Sequence, residues 1–103
     1  MTDNRRTSTR HAVSLPGKLT VGDRAFDCTV VNLSLGGAQT TVSMRHSMGE
    51  HCQLTFLLPT SADPIDVGAT VRWADDKLVG LQFDGLRAKD VWALNEFFKQ
   101  HAV

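Results

Sequence analysis

From Ile65 to Trp73 apolar and polar residues alternate without a break: Ile65, Val67, Ala69, Val71 and Trp73 fall on one side, and Asp66, Gly68, Thr70 and Arg72 on the other. A period of two is the mark of a strand with one face on a core. Shorter stretches repeat it. Val13, Leu15, Leu19 and Val21 share a face, with Pro16-Gly17 predicting a bulge or an edge feature. After a Gly22-Asp23 turn, Phe26, Cys28 and Val30 alternate with Asp27 and Thr29, so residues 12–31 predict a hairpin. Further strands are predicted around Ala38, Thr40 and Val42, from Cys52 through Leu54 and Phe56 to Leu58 before Pro59, and at Val79, Leu81 and Phe83 after an Asp75-Asp76 turn. Residues 43–50 read as a connecting loop. Six short strands with frequent turns predict an all-β fold, a small antiparallel barrel or sandwich.

The period changes at the end of the chain. Leu86, Val91, Leu94, Phe97 and Phe98 share one arc of a helical wheel, opposite Lys89, Asp90, Asn95, Glu96 and Lys99, which predicts one amphipathic helix laid over the barrel. Trp92 lies off that arc. It either covers neighbouring barrel surface or offers an aromatic to a partner. With 103 residues, 42% of them hydrophobic, the chain suits one domain whose core needs neither a disulfide nor a structural metal. Cys28 and Cys52 sit within apolar alternation and read as small buried hydrophobes of a reducing compartment. No run approaches the roughly 18 apolar residues of a membrane span, and the basic start is not followed by the apolar block of a secretory signal. A soluble, cytoplasmic protein with no membrane insertion is expected.

Residues 1–10 are polar throughout and hold Arg5, Arg6 and Arg10 against Asp3 alone, which predicts a flexible arginine-bearing arm ahead of a folded unit at 11–103. The formal net charge is zero, which disfavours a nucleic-acid binder that relies on overall positive potential. Phe26, Phe56 and Phe83 share faces with aliphatic residues and do not interleave with basic ones, which also argues against a single-strand binding platform. No G-x-S-x-G, H-E-x-x-H, C-x-x-C, P-loop or G-x-G-x-x-G occurs, so no catalytic residue is assigned and a non-enzyme is expected. His46, His51 and Cys52 lack the spacing of a closed tetrahedral centre, and no metal is assigned.

Two motifs are more specific. Arg5-Arg6-x-x-x-Arg10 enters the first hairpin, and Asn32-x-Ser34-x-x-Gly37, with Gly36 beside it, leaves that hairpin. A hairpin returns the chain to its starting side, so the two motifs can form one site. Arginine can donate two bonds to guanine O6 and N7, stack on a base or clamp a phosphate. Asn32 can accept from a base-edge N–H, Ser34 can donate to phosphate, and glycines admit an anion close to the backbone. These residue types fit an anionic, guanine-containing ligand. A solvated basic tail beside an ordinary Asx/Ser/Gly turn is the other reading that composition leaves open.

At these residues the chain resembles a PilZ domain, the bacterial receptor module for cyclic di-GMP, whose hallmark is R-R-x-x-x-R followed one hairpin later by [D/N]-x-S-x-x-G. Val71-Arg72-Trp73-Ala74 followed by Val79-Gly80-Leu81-Gln82-Phe83 is similar to a late hairpin of the family, and the resemblance runs from about Asn4 to the terminal helix. It implies a six-stranded antiparallel β-barrel with a C-terminal α-helix in a stand-alone PilZ protein. It implies, too, that Arg6 and Arg10 clasp guanine and phosphate as the arm closes, that Arg5 adds phosphate or stacking contacts, and that Asn32, Ser34 and Gly37, with Gly36 beside them, hold the other edge. Trp73 either packs in the core, as its alternation suggests, or walls the nucleotide pocket. Asn32 stands where the family often has Asp, with one acceptor oxygen in place of two. Signatures of enzymes that make or degrade the nucleotide are absent. The resemblance thus implies a receptor that binds cyclic di-GMP, uses no cofactor and signals to a protein partner; a PilZ-like adaptor that binds its partner without nucleotide is the alternative.

Overall fold

The computed structural model describes residues 10–41 and 47–101. Six strands, β1 (His11–Val21), β2 (Arg24–Leu33), β3 (Gly37–Thr41), β4 (His51–Phe56), β5 (Ile65–Ala74) and β6 (Leu78–Phe83), precede one helix, α1 (Ala88–His101). Every pairing is antiparallel, in the order β1-β2-β3-β6-β5-β4, and β4 returns to β1 to close a barrel. The expected all-β class holds, and the structure decides between barrel and sandwich. Among the described residues each of the six strands pairs with a neighbour on both sides, which limits the edge open to strand addition by other copies of the chain.

The hairpin β1–β2 turns on Gly22, whose φ of +64° only a residue without a Cβ adopts at little cost. Pro16 and Gly17 sit inside regular pairing, opposite Thr29 and Cys28, and the irregularity of β1 lies instead between Ala12 and Leu15. Gly17 has a steric reason: an added Cβ would press on the Thr55 carbonyl oxygen at 3.0 Å where β4 closes against β1. Val42 falls outside the described residues. At the β5–β6 turn, Asp75 accepts hydrogen bonds from the backbone N–H groups of Lys77 and Leu78, both at 2.8 Å, and these hold its carboxyl below the usual range.

The inward positions fill the barrel with Leu19, Val30, Leu33, Leu54, Phe56, Ile65, Val71 and Val79, and α1 closes it with Leu94, Phe97 and Phe98. At the start of α1 the buried Asp90 carboxylate reaches back to the Arg87 backbone N–H at 3.3 Å and the Arg87 side chain at 3.1 Å, capping an end that otherwise leaves donors unpaired. At the other end of the helix the Phe98 ring stacks on His11 with centroids 4.1 Å apart, which ties the entry of β1 to α1. Cys28 and Cys52 are buried free thiols, and burial above all pushes both up to about 11. Asp27 adds to the rise at Cys28 and Asp84 and Glu50 add to it at Cys52, while the Thr40 hydroxyl beside Cys28 acts the other way. Thiols so placed are poor nucleophiles, as packing residues would be.

Candidate functional site

Three irregularities of register occur at one end of the barrel, and each inserts a residue. On β2, Val30 faces Thr40 and Asn32 faces Gln39, which leaves Val31 unopposed. On β5, Val71 faces Leu81 and Trp73 faces Gly80, which leaves Arg72 unopposed. On β1 the step from Leu15 to Ala12 spans only Val30 to Asn32 on its partner. An inserted residue reverses the facing of everything beyond it. Without the bulge Asn32 would follow Cys28 and Val30 into the core; with it, Leu33 turns inward and Asn32 outward. Trp73, which strict alternation places with Ile65 and Val71, is likewise turned out of the core and is 37% exposed.

The reversals line up. Through the paired positions Ala12, Asn32, Gln39, Gly80 and Trp73, one outward row crosses five of the strands. Gly80 lies beneath the Trp73 ring, and a Cβ there would collide with the indole. The missing side chain is therefore what lets the ring lie flat across the row.

The turn after β2 positions the row from below. Ser34 is buried, and its Oγ accepts from the backbone N–H groups of Gly36 and Gly37, each at 3.2 Å, and lies 3.3 Å from the Gly37 carbonyl oxygen. The Ser34 N–H donates to the same carbonyl at 2.9 Å. A Cβ on Gly37 would strike the Leu81 carbonyl oxygen, so β3 can approach β6 only with glycine there. The last glycine of the motif is thus required by backbone packing, and the serine hydroxyl is engaged within the turn.

A cavity of about 310 Å³ opens over this row, a volume suited to part of a nucleotide-sized ligand. Of the residues singled out from the sequence, Arg10, Asn32, Ser34, Gly36, Gly37 and Trp73 all line it. Arg5 and Arg6 lie outside the described residues. Gln39, Arg72, Gly80 and Gln82 line it too and were not assigned to a site from the sequence, although three of them stand in the late hairpin quoted above. Among the described residues the lining holds two guanidinium groups and no carboxylate. Such a lining attracts an anion, and the exposed indole offers a base a stacking surface.

Two absences concern the described residues only. No three or more His, Cys, Asp or Glu are placed to hold a metal ion, and no helix is long and apolar enough to cross a membrane. Trp92 is 67% exposed at a smaller groove of about 180 Å³ beside Pro64, so it leaves most of its ring uncovered by the barrel.

The family model described as "PilZ domain" matches residues 4–100. This chain belongs to the PilZ domain family. Among solved structures, the Bacillus subtilis inhibitor of motility, MotI/DgrA, superposes with a TM-score of 0.81 at 22% identity, over 95% of this chain and 52% of that one. The Borreliella burgdorferi PlzA protein, solved in complex with c-di-GMP, superposes with a TM-score of 0.70 at 14% identity, over 87% of this chain and 39% of PlzA. These likenesses show the fold, and this PilZ domain spans about half the length of MotI/DgrA or less of PlzA. No curated relative matches the chain.

The packing of Trp73 on Gly80 generates a prediction. Gly80→Ala forces the indole off the row, so in a spectrum of nitrogen-15-labelled protein the Trp73 indole N–H resonance shifts while that of Trp92 stays in place. An unmoved Trp73 signal would contradict the contact.

Proposed function

We propose that this PilZ domain is a non-enzymatic receptor for cyclic di-GMP, and that the outward row beneath the cavity is its binding surface. The observation that carries the proposal is the convergence of Arg10, Arg72, Asn32 and Trp73 on one cavity free of carboxylates among the described residues. Each matches a part of the ligand: guanidiniums clamp phosphate or a guanine edge, the indole stacks on a base, and the Asn32 oxygen accepts from a guanine N–H. Ser34 and Gly37 serve the site by shaping the turn that presents Asn32, and Gly36 supplies a position where backbone and ligand can approach. That PlzA was solved with c-di-GMP supports the ligand's identity.

Arg10→Ala and Arg72→Ala each remove a charge-assisted contact from an exposed side chain that packs no core, so the fold should persist while binding weakens. The expected loss is about 2 kcal/mol, or roughly thirtyfold in Kd, by titration calorimetry with cyclic di-GMP. Arg10→Lys should recover only part of it, because an ammonium lacks the planar fork. Parental affinity in both alanine variants would remove the site assignment.

The same reading extends to output. Arg5 and Arg6 add their charges from the arm, which folds over the bound dinucleotide and thereby presents a new surface to a protein partner. Amide exchange tests this directly. Protection of residues 5–11 should rise on adding cyclic di-GMP and change little with GMP at equal concentration, since a mononucleotide lacks the second base and phosphate. An arm already protected without ligand would favour an adaptor that engages its partner constitutively.

A further inference from the structure

Asn32 and Gln39 face one another across β2 and β3 in the outward row, and both line the cavity. The Asn32 Nδ2 group donates to Gln39 Oε1 at 3.2 Å. A primary amide has a donor end and an acceptor end, and this bond spends part of the donor end of Asn32 on a neighbour. What Asn32 then has wholly available to a ligand is its oxygen, Oδ1, while its NH₂ end is turned toward Gln39. On its N1/C2 side a guanine edge presents N1–H and N2–H donors to such an oxygen, whereas adenine presents there its N1 lone pair and a C–H, its one amino donor lying at the N6 end of the edge.

We infer that Gln39 is a positioning residue that sets the sense of the Asn32 amide and so makes the cavity select guanine over adenine. The inference rests on the receptor reading above and deepens it. The polarity of the pair is what matters: if both amides rotated together the bond would survive, but Asn32 would point its NH₂ at the ligand and the preference would reverse. Glutamine permits that concerted rotation. Glutamate does not, because its carboxylate can only accept, which holds Asn32 in the observed sense. Alanine leaves Asn32 with no partner at position 39 and both senses accessible.

The test is the ratio of affinities for cyclic di-GMP and cyclic di-AMP, measured by calorimetry on the full chain and its Gln39→Ala and Gln39→Glu variants. The two dinucleotides carry equal charge, so a general weakening by the added carboxylate cancels in the ratio. The parent should prefer cyclic di-GMP; Gln39→Glu should keep that preference within about threefold, and Gln39→Ala should lower it by about tenfold or more, the scale of one base-reading contact. Loss of the preference in Gln39→Glu would show the opposite amide sense and overturn the inference, as would an unchanged ratio in Gln39→Ala or a parent that binds both dinucleotides alike. A parent that binds cyclic di-GMP with Gln39 variants of parental ratio leaves the receptor reading standing and removes this inference alone; a parent that binds neither dinucleotide removes both.

Discussion

Alternation decides which side of a strand a side chain faces, and in this barrel the bulges at one end invert that rule along the row that lines the cavity. Val31 and Arg72 are the inserted residues on β2 and β5. Because each pushes its neighbour through one step of parity, a polar amide that would be a burial cost and an indole that would crowd the core both move to the outside. The core gains by the same step, since Leu33 takes the inward place beside Val30. One local change therefore improves packing and turns Asn32 and Trp73 toward the cavity together.

The row holds its shape because the barrel behind it is closed and filled. Trp73 rests on a glycine, Gln39 bonds Asn32, and the Ser34 turn pins the exit of β2, so the described part of the site is set by backbone pairing on rigid strands. A preformed surface of this kind leaves less ordering to be done on binding than a loop would. Arg10 stands at the junction: it lines the cavity and adjoins His11, whose ring stacks on Phe98 of α1.

The strands were legible in the sequence because half-buried strands impose a period of two, and the helix because its buried arc does not. Asn32, Ser34 and the glycines were legible as a motif, although the geometry gives Ser34 and Gly37 mainly the work of shaping the turn. What the pattern hid was the bulge. From Ile65 to Trp73 the letters alternate perfectly, yet the inserted Arg72 moves Trp73 to the other face, and nothing in a single strand reveals how its partner is registered. Gln39 and Gly80 were missed for the same reason: a glutamine and a glycine in a strand acquire their meaning only from the residues set opposite them. The steric contact that makes Gly80 necessary joins β6 to β5 and has no trace in local sequence.

Titration of nitrogen-15-labelled protein with cyclic di-GMP tests whether the row that these bulges assemble from five strands is the ligand face that we propose. The largest shift changes should fall on the Arg10, Asn32, Gln39, Gly80 and Arg72 backbone amides and on the Trp73 indole N–H, with the Trp92 indole little changed. Changes centred instead on Trp92 and the groove beside Pro64, or no change at saturating nucleotide, would contradict it.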